Sequence, residues 1–557
     1  MNPNQVLHEV AQLAQQGQLD LAQKKCRAFV EKFPGNLDGQ RLYGMILSNL
    51  GKHADAAGHL MTVVRFGPPN VEALFDLADA LTASEQYAAA VEYYFKAIGL
   101  APNSPELHFN LGFVTQRLDR HMAAVQSYEQ ALRLRPDWID AHNNIGLSLI
   151  ELDRPEEAAA HFRKVLSLEP NHLYATNNLG LALADLDRFD EAIQSYERAV
   201  EMKPDYFEAH NNMGWSLVEL RRYDDALRQF QKSSGINPAY HRAIYNESVA
   251  LLSIGDLPDG LLKYESRWST PRFPNQKPLM DCPQWSGDED LSGKSIFVYA
   301  EQGLGDTIQF CRYLPLLAAK TGHATVEVPE NLKHLLGTLA GKLALVTPGG
   351  VPAGYDFHIP MCSLPLAFKT ATGTIPAAVP YLAVPPGSAS KFADVQRTPG
   401  TLNIGICWRS GSRHRLMKKR DMPLGALLKA LKTAAPSTRV FSLQKDATAD
   451  ELKSLATAGD IADLGGRFAD FSDTAAAIAQ MDLVISVDTS VAHLCGALGI
   501  PVWIALMYSP DWRWLPASEQ SAWYPSARLF RQSAIGDWAN VAAEISTALP
   551  AFTTKPG

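Results

Sequence analysis

The stretch LGLALADLDRFDEAIQSYERAVEMKPD, residues 179–205, decides the fold of the first half of the chain, because its landmarks return every 34 residues. Pro204 belongs to a column of Pro34, Pro68, Pro102, Pro136, Pro170, Pro204 and Pro238. Ala192 belongs to Ala22, Ala56, Ala90, Ala124, Ala158, Ala192 and Ala226, continued by Gly260. Tyr196 stands with Tyr94, Tyr128, Phe162, Phe230 and Tyr264, and Gly180 with Gly44, Ala78, Gly112, Gly146 and Gly214. Proline ends the second helix of each unit, since it has no N–H and pushes the preceding residue out of helical conformation. Small residues let two helices approach, and the aromatic is expected to fill the space between neighbouring units. One such helix-turn-helix unit cannot bury its own apolar face, so units must stack.

These residues closely resemble the tetratricopeptide repeat (TPR). Seven repeats are expected over about residues 3–240, with a capping helical pair to about 270. The resemblance implies an all-α TPR superhelix over residues 1–270 that binds protein. A second column, Asn110, Asn144, Asn178, Asn212 and Asn246, keeps the same period and falls, by that resemblance, on the concave face. Asparagine is a poor helix former, so a column of it needs a reason. Its amide offers a donor and an acceptor, which match a peptide backbone without reading side chains. The column is similar to the asparagine ladder of O-GlcNAc transferase, which implies an acceptor protein held in the TPR groove. The alternative is a ladder that only bonds adjacent repeats.

Composition bounds the rest. An apolar content of 46% over 557 residues allows a large core, and a net charge of -8 argues against a general nucleic-acid binder. Cys26, Cys282, Cys311, Cys362, Cys407 and Cys495 form no CxxC pair, so neither a zinc site nor a disulfide framework is indicated. The opening MNPNQVLHEVAQLAQQG has no basic leader, and no stretch approaches the ~20 apolar residues that span a bilayer. A cytoplasmic protein without a membrane span is expected, with self-association through the repeats as a further expectation.

The period breaks in ESRWSTPRFPNQKPLMDCPQWSGDEDLSG, residues 265–293, and a connector is expected over 271–293. Trp268 and Trp285 call for burial, so this segment reads as laid over a domain surface. Asp288-Glu289-Asp290 spells the D-x-D triplet that holds a metal in one class of glycosyltransferases. Here it precedes a strand in polar sequence, and a solvated turn is expected instead.

Beyond it, strand candidates KSIFVYA (294–300), ATVEVP (324–329), LNIGICW (402–408), TRVFSLQ (438–444), DLVISVD (482–488) and PVWIALM (501–507) alternate with helical stretches such as DTIQFCRYLPLLAAKTG (306–322). Alternation of this kind gives parallel sheets with helices on both faces. Lobes at 294–385 and 400–557, joined by a hinge at 384–400, suggest an α/β GT-B domain of two Rossmann-like lobes, with ligands beyond the carboxyl ends of the strands.

Three motifs carry chemistry. In AEQGLGDTIQF (300–310), Gly303 and Gly305 allow a tight turn and Asp306 is expected to open the helix. Asp306 is either a helix cap or a general base, with Glu301 in reserve. In DLVISVDTSVAHLCGALGIPVWIAL (482–506), Asp488, Thr489 and Ser490 stand at a helix start that can bind a pyrophosphate, and His493 faces the same end. Against this stands a simple cap and a satisfied core histidine. In ICWRSGSRHRLMKKRDMPL (406–424), Arg409, Arg413, Arg415, Lys418, Lys419 and Arg420 crowd a loop that can neutralise a leaving diphosphate and take the place of a metal. Arg409, nearest the strand, is the first choice, and Gln444 at the end of VFSLQ is a candidate for base or ribose. Trp512, Trp514, Trp523 and Tyr524 form an aromatic cluster expected to pack between lobes, with stacking on a sugar as the alternative.

The first two motifs resemble the heptosyltransferase-type family. That resemblance implies a proton-accepting role for Asp306, donor binding by Asp488, Thr489, Ser490 and His493, and diphosphate contacts from Lys419 and Arg420. The family usually has glycine where this chain has Ser490. Taken whole, the chain resembles bacterial TPR-fused glycosyltransferases, a group that includes flagellin-modifying enzymes. The resemblance implies inverting, metal-independent and cofactor-free transfer from a nucleotide-sugar to Ser/Thr of a protein. Two other readings remain open at this point: a TPR scaffold with a degenerate domain, and an enzyme acting on a glycolipid or saccharide.

Overall fold

The computed structural model describes residues 3–270, 277–349, 353–398, 400–411, 418–434, 438–459, 461–516 and 518–553. The chain forms two compact units, Met1–Pro204 and Asp205–Gly557. The division falls inside the repeat array, so the last two hairpins belong with the α/β region.

The first unit holds six helical hairpins, from Pro3–Gln15 with Leu19–Lys32 to Leu173–Asp185 with Phe189–Met202. Each hairpin turns through one left-handed residue: Gly17, Gly51, Glu85, Asp119, Asp153 and Asp187, with φ from 56° to 76°. Such a conformation suits glycine and is tolerated by aspartate, whose short side chain bonds locally. Between hairpins, Gln40, His108 and His142 reach back to the carbonyls of Pro34, Pro102 and Pro136 at 2.8–2.9 Å and tie the proline turn down.

The aromatic column is placed differently from expectation. Tyr128, Phe162 and Tyr196 each lie on the glycine of their own hairpin: a Cβ built on Gly112, Gly146 or Gly180 would fall 2.5–2.7 Å from the ring. The helices therefore close over a missing side chain. Gly180→Ala is expected to destabilise by about 1–3 kcal/mol, because the buried Tyr196 ring has nowhere to move. Gly58→Ala, on an exposed face with nothing within 4 Å, should instead stabilise by roughly 0.5–1 kcal/mol through helix propensity. Urea unfolding of the two variants gives opposite signs if this packing is right.

The second unit opens with the hairpins Phe207–Glu219 with Tyr223–Ile236 and His241–Ser253 with Leu257–Tyr264. Arg221 (φ 57°) and Gly255 (φ 89°) occupy their left-handed positions. Two wholly parallel sheets follow. The first contains β1 (Ser295–Tyr299), β2 (His323–Glu327), β3 (Leu343–Val346) and β4 (Phe357–Pro360), in spatial order β3-β2-β1-β4. The second contains β5 (Leu402–Cys407), β6 (Thr438–Ser442), β7 (Ile461–Asp463), β8 (Leu483–Val487), β9 (Val502–Leu506) and β10 (Ala527–Arg531). Its order, β10-β9-β8-β5-β6-β7, is that of a doubly wound nucleotide-binding sheet, and the chain reverses direction between β5 and β8. In the first sheet the reversal lies between β1 and β4. Loops leaving β1, β5, β8 and β9 at their carboxyl ends carry nearly all of the candidate site.

All six predicted strands form. The short β3, β4, β7 and β10, of 3–5 residues, were not anticipated. The long helix expected over 306–322 is broken into Leu304–Phe310, a tight turn at Cys311–Tyr313 and Leu314–Ala318, with Pro315 at the restart. The hinge at 384–400 contains a packed turn, Ala389–Val395, which buries Phe392 and Val395. One apolar core joins Leu252, Leu257, Leu261 and Tyr264 of the last hairpin to Ile296 and Val298 of β1 and to Val491, Leu494 and Trp512.

Candidate functional site

β1 delivers the chain to Gly303, which caps the Leu304–Phe310 helix, so Asp306 is the third helical residue and not the first. Its Oδ2 accepts the Gly303 N–H at 2.9 Å. Its Oδ1 is ion-paired with Arg513, which leaves the Asp306 side chain 22% exposed. The capping interaction and the ion pair use one oxygen each.

Glu301 does not face a cleft. Its side chain is buried, bonded to Arg267 at 3.0 Å and to the Cys362 N–H at 3.1 Å, and burial pushes its carboxyl up to about 7 against the pull of Arg267. An acceptor hydroxyl cannot reach it, which removes Glu301 as a reserve base.

From β8 the chain turns at Asp488 and enters the Ser490–Ala497 helix with Thr489 as its cap residue. The Thr489 hydroxyl does not cap the helix; it lies 3.1 Å from Ser486 Oγ. Gly305 meets this turn from the other lobe: a Cβ there would fall 2.9 Å from His493 Cδ2 and 3.6 Å from Ser490 Cα. Glycine is required for that approach. His493 is buried, its Nδ1 is 3.0 Å from the Tyr524 hydroxyl, and its ring stacks on Trp514. His493 is therefore a buried ring where the two lobes meet, with its Nε2 3.9 Å from Asp488.

Asp488 is buried, and burial pushes its carboxyl up while Arg420 at 3.1 Å opposes. Arg420 also lies 3.9 Å from Asp511, whose other oxygen pairs with Arg513 at 2.7 Å. Asp306, Arg513, Asp511, Arg420 and Asp488 thus form a chain of alternating charge across the two lobes. Burial alone would raise Asp511, but Arg513 and Arg420 hold it below the usual carboxylate range. Arg513 also bonds Gln309 at 2.7 Å. Asp511 and Arg513 escaped the sequence reading because SPDWRWLP announces itself by its aromatics. The signal was there: a D-x-R alternation among tryptophans, where a charge needs a partner.

The basic loop is corrected in part. Arg409 is held by Asp446 at 2.9 Å and by Glu451 at 2.9 and 3.1 Å, within its own lobe, so it is not a free phosphate ligand. Those bonds help hold the Glu451 carboxyl down to about 2 although burial opposes. Gln444 is buried and bonded to Asp446 at 2.8 Å and to the Arg409 N–H at 3.2 Å, so it braces this corner and does not face a base or ribose. Lys419 is half-buried and Lys418 exposed. Arg413 and Arg415 lie outside the described residues.

In the first unit the Asn178 amide donates to Asn143 at 3.1 Å and Asn110 to Asp79 at 3.1 Å; in the second, Asn246 donates to Asn211 at 2.8 Å. Asn178 and Asn246 are buried. Asn211 donates to Asn212 at 3.3 Å, and the Asn144 carbonyl accepts from Gln116 at 3.5 Å. Asn110, Asn178 and Asn246 thus each bond the preceding repeat through a side-chain N–H. Asp288, Glu289 and Asp290 form an exposed turn in which Asp288 pairs with Lys369, and no metal-binding cluster of three His, Cys, Asp or Glu occurs among the described residues. Trp512, Trp514, Trp523 and Tyr524 are all buried, and Trp512 stacks on Phe310 of the opposite lobe. No described helix is long and apolar enough to cross a membrane.

Burial, reinforced by Arg513, pushes the His493 imidazole down to about 3. Below about pH 6.5 the unfolded chain takes up a proton that the folded chain refuses, so stability falls with pH by about 1.4 kcal/mol per unit. His493→Gln, which can still bond Tyr524, should lose roughly 2–3 kcal/mol less than the native chain between about pH 6 and about pH 4. Urea unfolding at both pH values measures the difference.

Comparison with known proteins matches residues 78–119, 115–168, 143–207 and 183–243 to tetratricopeptide repeat families, and residues 424–523 to glycosyltransferase family 9 (heptosyltransferase). The latter segment includes Asp488–His493, Asp511 and Arg513; Asp306 and Arg420 lie outside it. Over 334 residues the chain is 25% identical to Protein FlbA of Caulobacter vibrioides, covering 54% of each chain. It therefore spans about half the length of that curated relative. Among solved structures, YrrB, a TPR protein with an unusual peptide-binding site, is 22% identical over 34% of this chain and 97% of its own, with a TM-score of 0.30. A tetratricopeptide repeat protein from Parabacteroides merdae is 15% identical over 45% of this chain and 98% of its own, with a TM-score of 0.37.

Proposed function

We propose, taking tetratricopeptide repeats joined to a glycosyltransferase domain as the premise, that this protein transfers a sugar from a nucleotide-sugar to a Ser/Thr hydroxyl of a protein held by the repeats. The transfer proceeds with inversion and without a metal in a GT-B domain. By the resemblance to TPR-fused enzymes that modify flagellin, flagellin is the acceptor to try first. The reading is carried by one juxtaposition: the Asp306 loop and the Asp488–Ser490 turn meet where Gly305 packs on His493.

Asp306 takes the acceptor proton as the hydroxyl attacks the anomeric carbon. A carboxylate has about four lone-pair sites, and Gly303 and Arg513 account for two of them. The Ser490 and Val491 N–H groups that open the Ser490–Ala497 helix, with Lys419 and Arg420, hold the donor diphosphate, or a monophosphate for a CMP-activated sugar.

The test is co-expression of candidate acceptors with the native chain and with Asp306→Asn, followed by intact-mass analysis. A sugar-sized gain that needs Asp306 supports the reading. No gain on any acceptor, with no hydrolysis of UDP-, GDP-, CMP- or ADP-sugars, favours a non-catalytic scaffold. A saccharide or glycolipid acceptor is the second reading, and the burial of Asn178 and Asn246 favours it. Replacing Asn110, Asn144, Asn178, Asn212 and Asn246 by alanine then leaves transfer unchanged.

A further inference from the structure

We infer that Arg267, and with it the last two hairpins of the repeat array, positions the loop that carries Asp306. What that loop does rests on the glycosyltransferase reading; how it is held does not.

The loop from β1 to Asp306 reads Ala300-Glu301-Gln302-Gly303-Leu304-Gly305, and two glycines leave it little stiffness of its own. The two polar side chains that anchor it reach the end of the array. Glu301 accepts from Arg267 at 3.0 Å, and Gln302 donates to the Tyr264 hydroxyl at 2.8 Å. Arg267 has no solvent-exposed surface. Its second fork reaches Glu265 at 2.6 Å, and Ser363 closes the ring, accepting from Arg267 at 2.8 Å and donating to Glu265 at 2.6 Å. A planar guanidinium reaches both carboxylates and Ser363 at once, whereas a lysine keeps the charge and serves only part of the set.

The same hairpins hold the other half of the ion pair. Arg221 donates to the Tyr508 carbonyl and lies over its ring at 4.1 Å, and Ser509 donates to the Val218 carbonyl at 3.2 Å. The segment from Tyr508 leads directly to Asp511 and Arg513. Arg221 stands at a left-handed turn position where the other hairpins have glycine, aspartate or glutamate. Arg221 is the one basic residue at these positions, and its side chain reaches a contact outside the array. Asp306 and Arg513 are therefore each fastened, from opposite lobes, to one pair of hairpins. The tertiary division at Pro204 agrees: the terminal hairpins are part of the catalytic body, not of the arm.

The test uses the full chain, with Arg267→Met, Arg267→Lys and the surface control Arg188→Ala. Hydrogen exchange read by mass spectrometry reports the loop without any ligand. Arg267→Met should speed exchange at 301–306 by about 10-fold or more while the amides of β5 and β8 stay unchanged. With whichever of the UDP-, GDP-, CMP- and ADP-sugars the native chain hydrolyses, kcat should fall about 100-fold and the donor KM should move less than about threefold. Arg267→Lys should recover part of both effects, and Arg188→Ala should show neither. A folded Arg267→Met chain whose 301–306 amides exchange as slowly as the native ones overturns the inference. If that variant fails to fold, Arg267→Lys decides alone, on the same readout. A native chain inert toward every nucleotide-sugar sinks the glycosyltransferase reading, while exchange at 301–306 still decides the positioning.

Discussion

Asp306→Asn is expected to lower kcat for sugar transfer by about 10²–10⁴-fold, the usual worth of a positioned general base. Asparagine keeps the shape and can still accept the Gly303 N–H, but it cannot take a proton from an attacking hydroxyl. The donor KM should move little, since no donor contact is assigned to Asp306. The two roles of this carboxylate are thereby separated: a residue serving only as partner to Arg513 costs stability and leaves kcat alone. Initial rates with saturating donor, set beside urea unfolding of the same variant, distinguish them. A variant with near-native kcat removes Asp306 from the reaction.

Arg513→Met is expected to destabilise the second unit by about 3–5 kcal/mol, because it removes a buried cation and strands two half-buried carboxylates, Asp306 and Asp511, that share it. The pH dependence has a definite sign. In the native chain Arg513 and Arg420 hold Asp511 below its ordinary range, so their stabilisation is present above about pH 4 and is lost as pH falls through the folded value. Without Arg513, burial pushes Asp511 up, and the variant takes up a proton on folding. Its deficit should therefore be largest near pH 7 and shrink toward pH 5. Arg513→Met with Asp511→Asn should recover part of the loss even at neutral pH. Chemical denaturation across that range is the measurement, and a deficit that does not depend on pH would contradict the ion-pair account.

The corrections at Arg409 and Gln444 share a cause. Arg409 and Gln444 were singled out for their distance along the chain from a strand end, which is a local property. Asp446 and Glu451, which bind Arg409, lie beyond β6, and no spacing in sequence shows that they meet it. Glu301 failed as a base for the same reason: its partner Arg267 stands in the segment read as the end of the repeats. His493, by contrast, was readable either way, and only its burial against Tyr524 and Trp514 decides for the core.

The sequence by itself determined the repeats, their length, their turn prolines and the alternation that makes parallel sheets. Those are properties of periodic burial, and a period of 34 residues or a strand every few turns can be read without knowing any partner. It also marked Asp306 and Asp488, because glycine turns and helix starts are local. Only the tertiary structure decided the strand order that brings β5 and β8 side by side, the pairing of Asp306 with Arg513, and the division of the chain at Pro204. Each of these depends on which charged or apolar groups find one another across long stretches of chain, where the gain from burial and pairing, and not local preference, sets the outcome.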